Sequence, residues 1–370
     1  MKNLFLLAFG VAALLSSCTQ SELLNNETNE DRPMTFQAVV GKNSLTRTYG
    51  TNQTAYPTTS SFGTTAFFVQ SGDWKNNRAE ATTTTYIDKQ EVKYYANEET
   101  PYTADTWHIA YAAYWPKQGS LTFFSYSPYS VKDKVTIGKE SGVKVTDYDL
   151  TENKNVDLMV ADIAADKNAN TTTYAFNGVP TLFRHKLTQI GFVVKLYKDY
   201  SIKDGENLKA GHKVITLKSI NISNIYNKGT YTQGADATNC VGTWTPDATL
   251  SSATYTFFSG NQELSTTDFA APTDNDCQIF YLPQTFTEQS TAEIEVKYTI
   301  DTYTSEEEEK STEEVTYTKL LKDIKEGDPG SICSWGINKK ITYTITIGLD
   351  LIYFDPAVQE WEADSHSITI

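Results

Sequence analysis

One stretch of the sequence decides the fold class: ITYTITIGLDL, residues 341–351. Large apolar residues occupy the odd positions, and threonine, glycine or aspartate occupies the even ones. Because successive side chains in a strand point to opposite faces, this period of two predicts a half-buried β-strand. Its branched and aromatic residues are those that strands favour. The stretch therefore predicts a strand with one face in a core.

The same period of two recurs along the chain. It predicts a strand at 34–40, a strand at 214–225 with a bulge near Ser219, and a hairpin within 292–320. A further long strand run opens at Thr181. No helix longer than about two turns is predicted. We therefore expect an all-β chain of many short strands, as in β-sandwiches.

The composition restricts the class of protein. The chain has 370 residues, and 31 Lys and Arg against 46 Asp and Glu give a net charge of −15. At ~150 residues per domain, this length suggests about two domains. Aromatic residues make up 12 % of the chain, so wholesale disorder is excluded. The acidic balance argues against a nucleic-acid partner, which needs a basic protein surface.

The N-terminus carries an export signal. Lys2 precedes an apolar run at 4–15, which is too short to span a membrane because a span needs ~20 residues. The run ends in Leu15-Ser16-Ser17-Cys18, which resembles a bacterial lipobox. We expect 1–17 to be a lipoprotein signal peptide, Cys18 to carry the lipid with its palmitate, and 18–32 to be a linker. An ordinary secretory signal followed by a chance cysteine is the alternative.

The sequence contains no catalytic motif. None of the patterns of zinc hydrolases, nucleophile elbows, phosphate-binding loops or dinucleotide sites occurs. The four histidines are scattered, and His185 is interpreted as a surface or interdomain residue rather than a base. The four carboxylates at 306–309 are interpreted as a solvated loop rather than a cation site, and 274–276 as a turn rather than a calcium loop. We expect no enzyme activity, no metal and no cofactor.

Cysteines and tryptophans are interpreted as structural residues. Cys240, Cys277 and Cys333 remain once Cys18 is lipidated, and an odd number does not complete a disulfide framework. They are expected to be buried or half-buried thiols, with one disulfide as the alternative. The tryptophans at 74, 107 and 115 are expected in the core rather than on a sugar-stacking platform.

The order of several segments resembles the fimbrillin family of Bacteroidetes, the subunits of type V pili. After the lipobox, these segments are 34–40 with Leu45-Thr46-Arg47-Thr48, Tyr114-Trp115-Pro116 with 121–129, 157–161 with 182–190, 280–286, and Trp335 with 338–345 and 352–356. Each segment alone is only weakly specific to the family. The segments follow one another in the family's order and together extend over most of the chain. Position 186 departs from the pattern, since relatives usually carry a small residue where this chain has Lys186.

The resemblance implies a fold and a life cycle. The fold is two tandem transthyretin-like Greek-key β-sandwich domains, at 33–180 and 181–370. The implied function is a structural pilin that reaches the outer membrane surface as a lipoprotein, is cleaved by an arginine-specific protease, and polymerises into a fimbrium by donor-strand exchange, supporting adhesion. The implied partners are other fimbrillin subunits, in a homo- or heteropolymer, the maturation protease, and a host or bacterial surface receptor.

Both ends of the chain are expected to take part in assembly. Cleavage after Arg47 would remove the strand at 33–47, whose inward residues are Met34, Phe36, Ala38 and Val40. The segment 352–370 is expected to be the donor, because Asp355-Pro356 should break the last strand and the chain ends in alternating apolar residues. Its apolar residues are Val358, Trp361, Ile368 and Ile370. The alternative is that this tail is the last edge strand of its own sandwich.

Two other functions stay open at this stage. A tip or anchor subunit would cap the filament instead of extending it. A surface glycan-binding lipoprotein would need an exposed aromatic platform and no cleavage.

Overall fold

The computed structural model describes residues 33–41, 53–80, 83–169, 178–205, 207–247, 249, 251, 253–271, 278–304, 309–326, 331–332 and 334–361. Within these ranges the regular structure is almost entirely β, so the all-β prediction is confirmed. The helical elements are the short helix α1 (Trp74–Asn77) and the 3-10 helices Tyr129–Lys134 and Leu321–Asp323. No helix in this part of the chain is long and apolar enough to cross a membrane.

The strands, in chain order, are β1 (Phe36–Gly41), β2 (Gln53–Ala55), β3 (Phe62–Val69), β4 (Thr84–Tyr95), β5 (Thr106–Ile109), β6 (Ser120–Ser127), β7 (Val135–Gly138), β8 (Gly142–Asp149), β9 (Met159–Ala161), β10 (Ala164–Lys167), β11 (Val179–His185), β12 (Thr188–Leu196), β13 (Lys203–Asp204), β14 (Asn207–Leu208), β15 (Lys213–Ser223), β16 (Lys228–Thr232), β17 (Thr243–Pro246), β18 (Tyr255–Glu263), β19 (Phe269–Ala271), β20 (Phe280–Tyr281), β21 (Glu293–Tyr303), β22 (Lys310–Leu320), β23 (Lys325–Glu326), β24 (Ser331–Ile332), β25 (Lys339–Ile347) and β26 (Ile352–Glu360).

The first sheet closes on itself. Its strand order is β10-β6-β3-β4-β5-β1-β11-β9. β6 also pairs with β9, which closes a ring from β6 to β9, and β10 pairs with another part of β6. The strand β2 adds to β1 beside β5. The inner face of this closed sheet holds one core, to which β1 contributes every second side chain. Closure gives each ring strand a neighbour on both sides.

The outer face of the first sheet is covered as well. The sheet β17-β16-β8-β7 and helix α1 pack against it in a second core. Phe67 and Phe124 point outward to Trp74, with ring centroids 5.7 and 5.5 Å away. Strands β3 and β6 are therefore buried along nearly their whole length.

The remaining long strands form a two-layer sandwich. The sheet β19-β12-β25-β26, with β20 added to β12, faces the sheet β18-β15-β21-β22. Phe192 and Phe257 meet edge-on between the layers, with centroids 4.8 Å apart. The residues Ile341, Tyr343, Ile345 and Ile347 are fully buried in this core, as their spacing predicted.

Two strand predictions are confirmed and two need correction. The hairpin is β21–β22, and the bulge in β15 lies between Leu217 and Ser219. The predicted strand at 341–351 is too long, because Gly348 donates its N–H to the carbonyl of Leu351 in a turn that ends the strand at Ile347. The prediction that Asp355-Pro356 breaks the next strand is wrong. β26 runs through both residues as the edge strand beside β25, where a missing N–H is tolerated.

The change from the first sheet to the second sandwich lies close to the expected domain division at 180/181. β11 spans Val179–His185 and pairs with β1 in the first sheet, while β12 begins the second sandwich at Thr188. The change of sheet therefore falls at 186–187. In addition, β8 pairs with β16, with Tyr231 opposite Val145, so strands from the two halves of the chain share one sheet. The sequence pattern does not reveal the pairing of β8 with β16, because β7–β8 and β16–β17 each look like an independent local hairpin.

Candidate assembly groove

The expected removable segment, 33–47, contains β1, and β1 lies inside the closed sheet. Met34, Phe36, Ala38 and Val40 all point into the inner core, with exposed fractions of 0–6 %. On one side β1 runs parallel to β11, from Phe36 opposite Val179 to Val40 opposite Phe183. On the other side it pairs with β2 and touches β5. The predicted face of this strand is thus the buried one.

In addition to its regular β-ladders, β1 and the two residues before it are held by three further backbone hydrogen bonds. Met34 donates its N–H to Ala113 O at 2.7 Å, Thr35 O accepts from Val179 N–H at 2.7 Å, and Ala38 O accepts from Tyr56 N–H at 3.3 Å. Gly178 makes the close approach to Thr35 possible. It has a φ of +134°, and a Cβ there would lie 2.5 Å from the Thr35 carbonyl oxygen. Only glycine fits this geometry without displacement.

The side chains beneath β1 form an aromatic floor of Tyr56, Phe62, Trp107, Phe123 and Phe183. The ring of Phe36 meets those of Phe62 and Phe123 edge-on, each with centroids 5.8 Å apart. Tyr56 packs on Phe183 at 5.0 Å. Without β1 this floor would face water, as a groove bounded by β11 on one side and by β5 and β2 on the other.

Tyr56, which follows β2 and belongs to the aromatic floor, is held in place by hydrogen bonds of its hydroxyl. Its hydroxyl lies 2.7 Å from the Ser127 hydroxyl and donates to the carbonyl of Ser61 at 3.0 Å. Burial raises the pKa of Tyr56 well above its usual range, so the phenol stays neutral. Sequence reasoning missed this residue, since it follows a three-residue strand with no alternation of its own.

The C-terminal candidates are only partly described. Val358 lies half-buried on β26, and Trp361 is buried directly after it. In this structure both residues belong to the sandwich of which β26 is an edge strand. For these two residues this agrees with the alternative prediction, that the tail is the last edge strand of its own sandwich. Ile368 and Ile370 lie outside the described residues, as do Cys18 and Arg47; the latter is in the 42–52 connection between β1 and β2.

Trp361 packs against a buried, hydrogen-bonded His185–Asp157 pair. Its ring stacks on the imidazole of His185, with centroids 3.9 Å apart and planes at 3°. The backbone N–H of Trp361 donates to the backbone carbonyl of Asn338 at 3.0 Å. His185 Nδ1 lies 2.8 Å from Asp157 Oδ2, and both side chains are fully buried. The surface interpretation of His185 is therefore wrong. It sits at the end of β11, where the wall of the groove meets the C-terminal strand.

Lys186 is the residue that departs from the family pattern, and it is buried. Its amine donates to the carbonyls of Cys240 at 3.2 Å and Val241 at 3.3 Å, and it lies 5.6 Å from the centre of the Tyr231 ring. Burial lowers the pKa of Lys186 to about 8. The side chain thus ties the turn between β11 and β12 to the loop that follows β16.

The other candidates from the sequence take structural positions. Cys240 is buried, as expected, while Cys277 and Cys333 lie outside the described residues. Trp74 and Trp107 are buried and Trp115 packs against the inner core, so these three offer no open platform. Within the described ranges, no cluster of three or more His, Cys, Asp or Glu side chains could hold a metal ion. The run at 274–276 and residues 306–308 of the carboxylate run lie outside those ranges. Glu309, the last residue of that run, is described, and its carbonyl oxygen accepts the N–H of Thr304 at 2.8 Å.

Comparison with known families places the chain. The model of a fimbrillin-like family matches residues 38–361, which is most of the sequence. The chain belongs to the fimbrillin-like family. This family match agrees with the resemblance in the order of segments, and it extends from β1 to Trp361. A search of curated proteins finds no match.

Solved structures of bacterial fimbrial and cell adhesion proteins are similar to this chain to different degrees. A fimbrial protein from Bacteroides vulgatus has 18 % identity and a TM-score of 0.60, over 90 % of this chain and 100 % of that one. A candidate cell adhesion protein from Bacteroides uniformis has 16 % identity and a TM-score of 0.47, over 89 % and 98 %. The tip fimbrial protein Mfa3 from Porphyromonas gingivalis has 10 % identity and a TM-score of 0.34, over 82 % and 94 %. The structure from Bacteroides vulgatus therefore shares the fold of this chain.

Proposed function

We propose that this fimbrillin-like chain is a structural subunit of a type V pilus. It is exported to the outer membrane surface as a lipoprotein anchored at Cys18, cleaved after Arg47, and polymerised by donor-strand exchange into a fimbrium that supports adhesion. Its partners are other fimbrillin subunits, the arginine-specific protease and a surface receptor. The observation that carries the proposal is the position of β1, a buried strand that is followed directly by the cleavage segment.

The energetics of β1 favour exchange over an empty groove. Met34, Phe36 and Val40 are buried side chains worth ~1.5–3 kcal/mol each, and Ala38 adds under 1 kcal/mol, so their loss costs ~5–10 kcal/mol at most. Cleavage also leaves β11 with unpaired backbone groups along one edge. A strand from another subunit restores the apolar burial and the backbone pairing together. Its main-chain hydrogen bonds give affinity, and its alternate side chains in the pockets give register.

Charge is not the driving force of this maturation step. Residues 18–47, which this step removes once the signal peptide is gone, contain four acidic and three basic side chains, so the net charge changes by only one. Arg32 is the competing cleavage site, but a cut there leaves β1 attached to β2. Cleavage after Arg47 acts by exposing the aromatic floor.

In this proposal the donor is the segment 352–370, with its apolar residues Val358, Trp361, Ile368 and Ile370. Contacts of this head-to-tail kind do not close into a ring, so they build a filament. The half-buried state of Val358 on an edge strand supports the assignment, since an edge strand leaves its sheet at the cost of one ladder only.

The test is controlled cleavage of the purified full chain with an arginine-specific protease. We expect polymers by light scattering and electron microscopy, with a mature N-terminus at Thr48. The Arg47→Ala variant should stay monomeric, whereas Arg32→Ala should assemble normally. Monomers after cleavage at Arg47, or polymers that begin at Cys18 or Pro33, would contradict the proposal and favour a capping or glycan-binding role.

A further inference from the structure

A cleft opens at one end of the second sandwich, where β12 and β18 end and β15 begins. We call it the end cleft, and its volume is about 380 Å³. Leu196 lines it from one sheet, and Val214 and Glu263 line it from the other. This volume lies within the ~300–1,000 Å³ range that is typical of clefts for small molecules.

The end cleft lies apart from both segments that the proposed maturation moves. Its lining residues lie within 196–214 and 263–266, and none of them belongs to β1 or β26. Cleavage after Arg47 and the departure of β26 therefore leave every lining residue in its subunit.

Backbone hydrogen bonds hold the walls of the end cleft. Leu196 donates its N–H to Ser265 O at 2.7 Å, and Lys213 donates its N–H to Tyr200 O at 3.1 Å. The hairpin β13–β14 forms a further wall, in which Lys203 lies opposite Leu208. The walls are thus part of the fold, as in binding sites that are formed before the ligand arrives.

Part of the lining is apolar, and it includes one aromatic ring. Leu196 and Leu264 are buried, and Val214 is half-buried. Tyr200 is half-buried as well, and the Lys198 amine lies 5.5 Å from the centre of its ring. A pyranose ring presents a face of C–H groups, which packs well against aliphatic side chains and aromatic rings.

The charged part of the lining is balanced. Among the described residues it has two carboxylates, Asp199 and Glu263, and two amines, Lys203 and Lys213. Asp199 accepts the N–H of Ser201 at 2.8 Å, and hydrogen bonds from Ser201 hold the pKa of Asp199 below its usual range. Its carboxylate is therefore an acceptor at neutral pH. The balanced lining, on a chain of net charge −15, favours a neutral ligand over an anion.

His212 adds a buried acceptor to the lining. It is 3 % exposed, and its ring stacks on that of Tyr303 with centroids 4.3 Å apart. Nδ1 lies 2.7 Å from Lys209 O, and because a carbonyl oxygen only accepts, Nδ1 is the donor. In the neutral imidazole the other nitrogen, Nε2, is then an acceptor whose ring is held in place.

We propose that the end cleft binds a neutral carbohydrate of mono- or disaccharide size, and that this sugar is the part of the surface receptor that the subunit engages. The apolar lining and Tyr200 take the C–H face of the sugar. Its hydroxyls donate to Asp199 and to His212 Nε2, and they accept from Lys203. The role of the sugar as receptor rests on the proposed function, whereas binding of the sugar by the cleft does not.

Saturation-transfer NMR on the uncleaved chain tests the site. The neutral probes are lactose, maltose and diacetylchitobiose, and the anionic probe is a sulfated heparin disaccharide. At least one neutral disaccharide should bind, with the strongest transfer to the C–H protons on one face of a pyranose ring. Absence of transfer to all three neutral probes, or binding of the anionic probe alone, overturns the proposal.

Tyr200→Ala and Tyr197→Ala are the matched variants. Both tyrosines follow β12, but only Tyr200 lines the end cleft, and Tyr197 is exposed. For the neutral disaccharide that binds, Tyr200→Ala should raise Kd about 10-fold or more, whereas Tyr197→Ala should leave Kd unchanged. An equal loss in the two variants, or no loss in either, contradicts the site.

Asp199→Asn gives a second reading at an exposed position that does not support the core. The amide oxygen of asparagine still accepts the Ser201 N–H, so the turn is kept and only the charge is lost. Because hydrogen bonds to a charged acceptor are stronger than neutral ones, Kd should rise about 10-fold. An unchanged Kd would show that the sugar does not contact Asp199 and would overturn the assignment.

The uncleaved chain binds without polymerising, so the two proposals fail separately. Sugar binding by a chain that does not assemble after cleavage at Arg47 supports the end cleft and overturns the pilin proposal. Assembly by a chain that binds none of the neutral disaccharides overturns the end cleft and leaves the pilin proposal in place.

Discussion

Replacing Phe36 by alanine should weaken the precursor and leave the mature filament unchanged. Phe36 is 3 % exposed and contacts two aromatic rings edge-on. Removing a buried phenylalanine costs ~3–5 kcal/mol, and the two ring contacts favour the upper half of that range. We therefore expect the free energy of unfolding of the uncleaved chain to fall by about 4 kcal/mol.

The matched control is Phe123→Ala. Phe123 is 2 % exposed on the floor beneath Phe36, and it stays in the protein after cleavage. In urea denaturation of the uncleaved chains, the two variants should lose similar stability. After cleavage and assembly, only Phe123→Ala should release subunits at lower urea, because Phe36 has left with β1.

Two outcomes would contradict this prediction. Filaments of Phe36→Ala that dissociate as readily as those of Phe123→Ala would mean that β1 remains in the assembled subunit. A Phe36→Ala precursor as stable as the parent chain would mean that the strand is not part of the core that the groove exposes.

Three further predictions concern the anchor, the wall of the groove and a buried amine. Cys18→Ala should leave an unprocessed precursor that does not reach the outer membrane, as membrane fractionation and mass spectrometry would show; normal maturation would rule out the lipid. Gly178→Ala should lower the precursor's free energy of unfolding by ~1–3 kcal/mol more than Gly234→Ala, since both have positive φ but only Gly178 approaches a carbonyl. At pH 9 the unfolded chain keeps a proton on Lys186 that the folded chain has released, because burial lowers the pKa of Lys186 to about 8. The free energy of unfolding should therefore rise between pH 8 and 10 relative to Lys186→Met, and parallel pH profiles would contradict the lowered pKa.

The sequence predicts local strands well where one face is buried. The alternation at 34–40 and 341–347 identifies the inward residues correctly, because a slip of one residue would turn every side chain to the wrong face. The error at Pro356 has the same origin. The rule that proline ends a strand applies to central strands. The prediction failed because the sequence does not show that β26 is an edge strand.

Long-range pairing is what the sequence does not reveal. The closure of the first sheet depends on β6 meeting β9 and on β1 lying parallel to β11. The Asp157, His185 and Trp361 contact likewise joins three distant positions, each of which looks ordinary in its own segment. The groove strand was predictable from the sequence, whereas its walls and the anchor of the C-terminal strand were not.

The parallel pairing of β1 with β11 also sets an order of events in time. Phe36 and its partner Val179 are about 140 residues apart in the chain, and such non-local contacts form late because loop closure has a high entropic cost. The first sheet therefore cannot close around β1 until the chain as far as residue 185 is available to pair. A protease that cut at Arg47 before that moment would remove β1 from a chain with no groove yet formed. In the proposed maturation, folding therefore has to precede cleavage, and the parallel pairing of β1 with β11 sets this order.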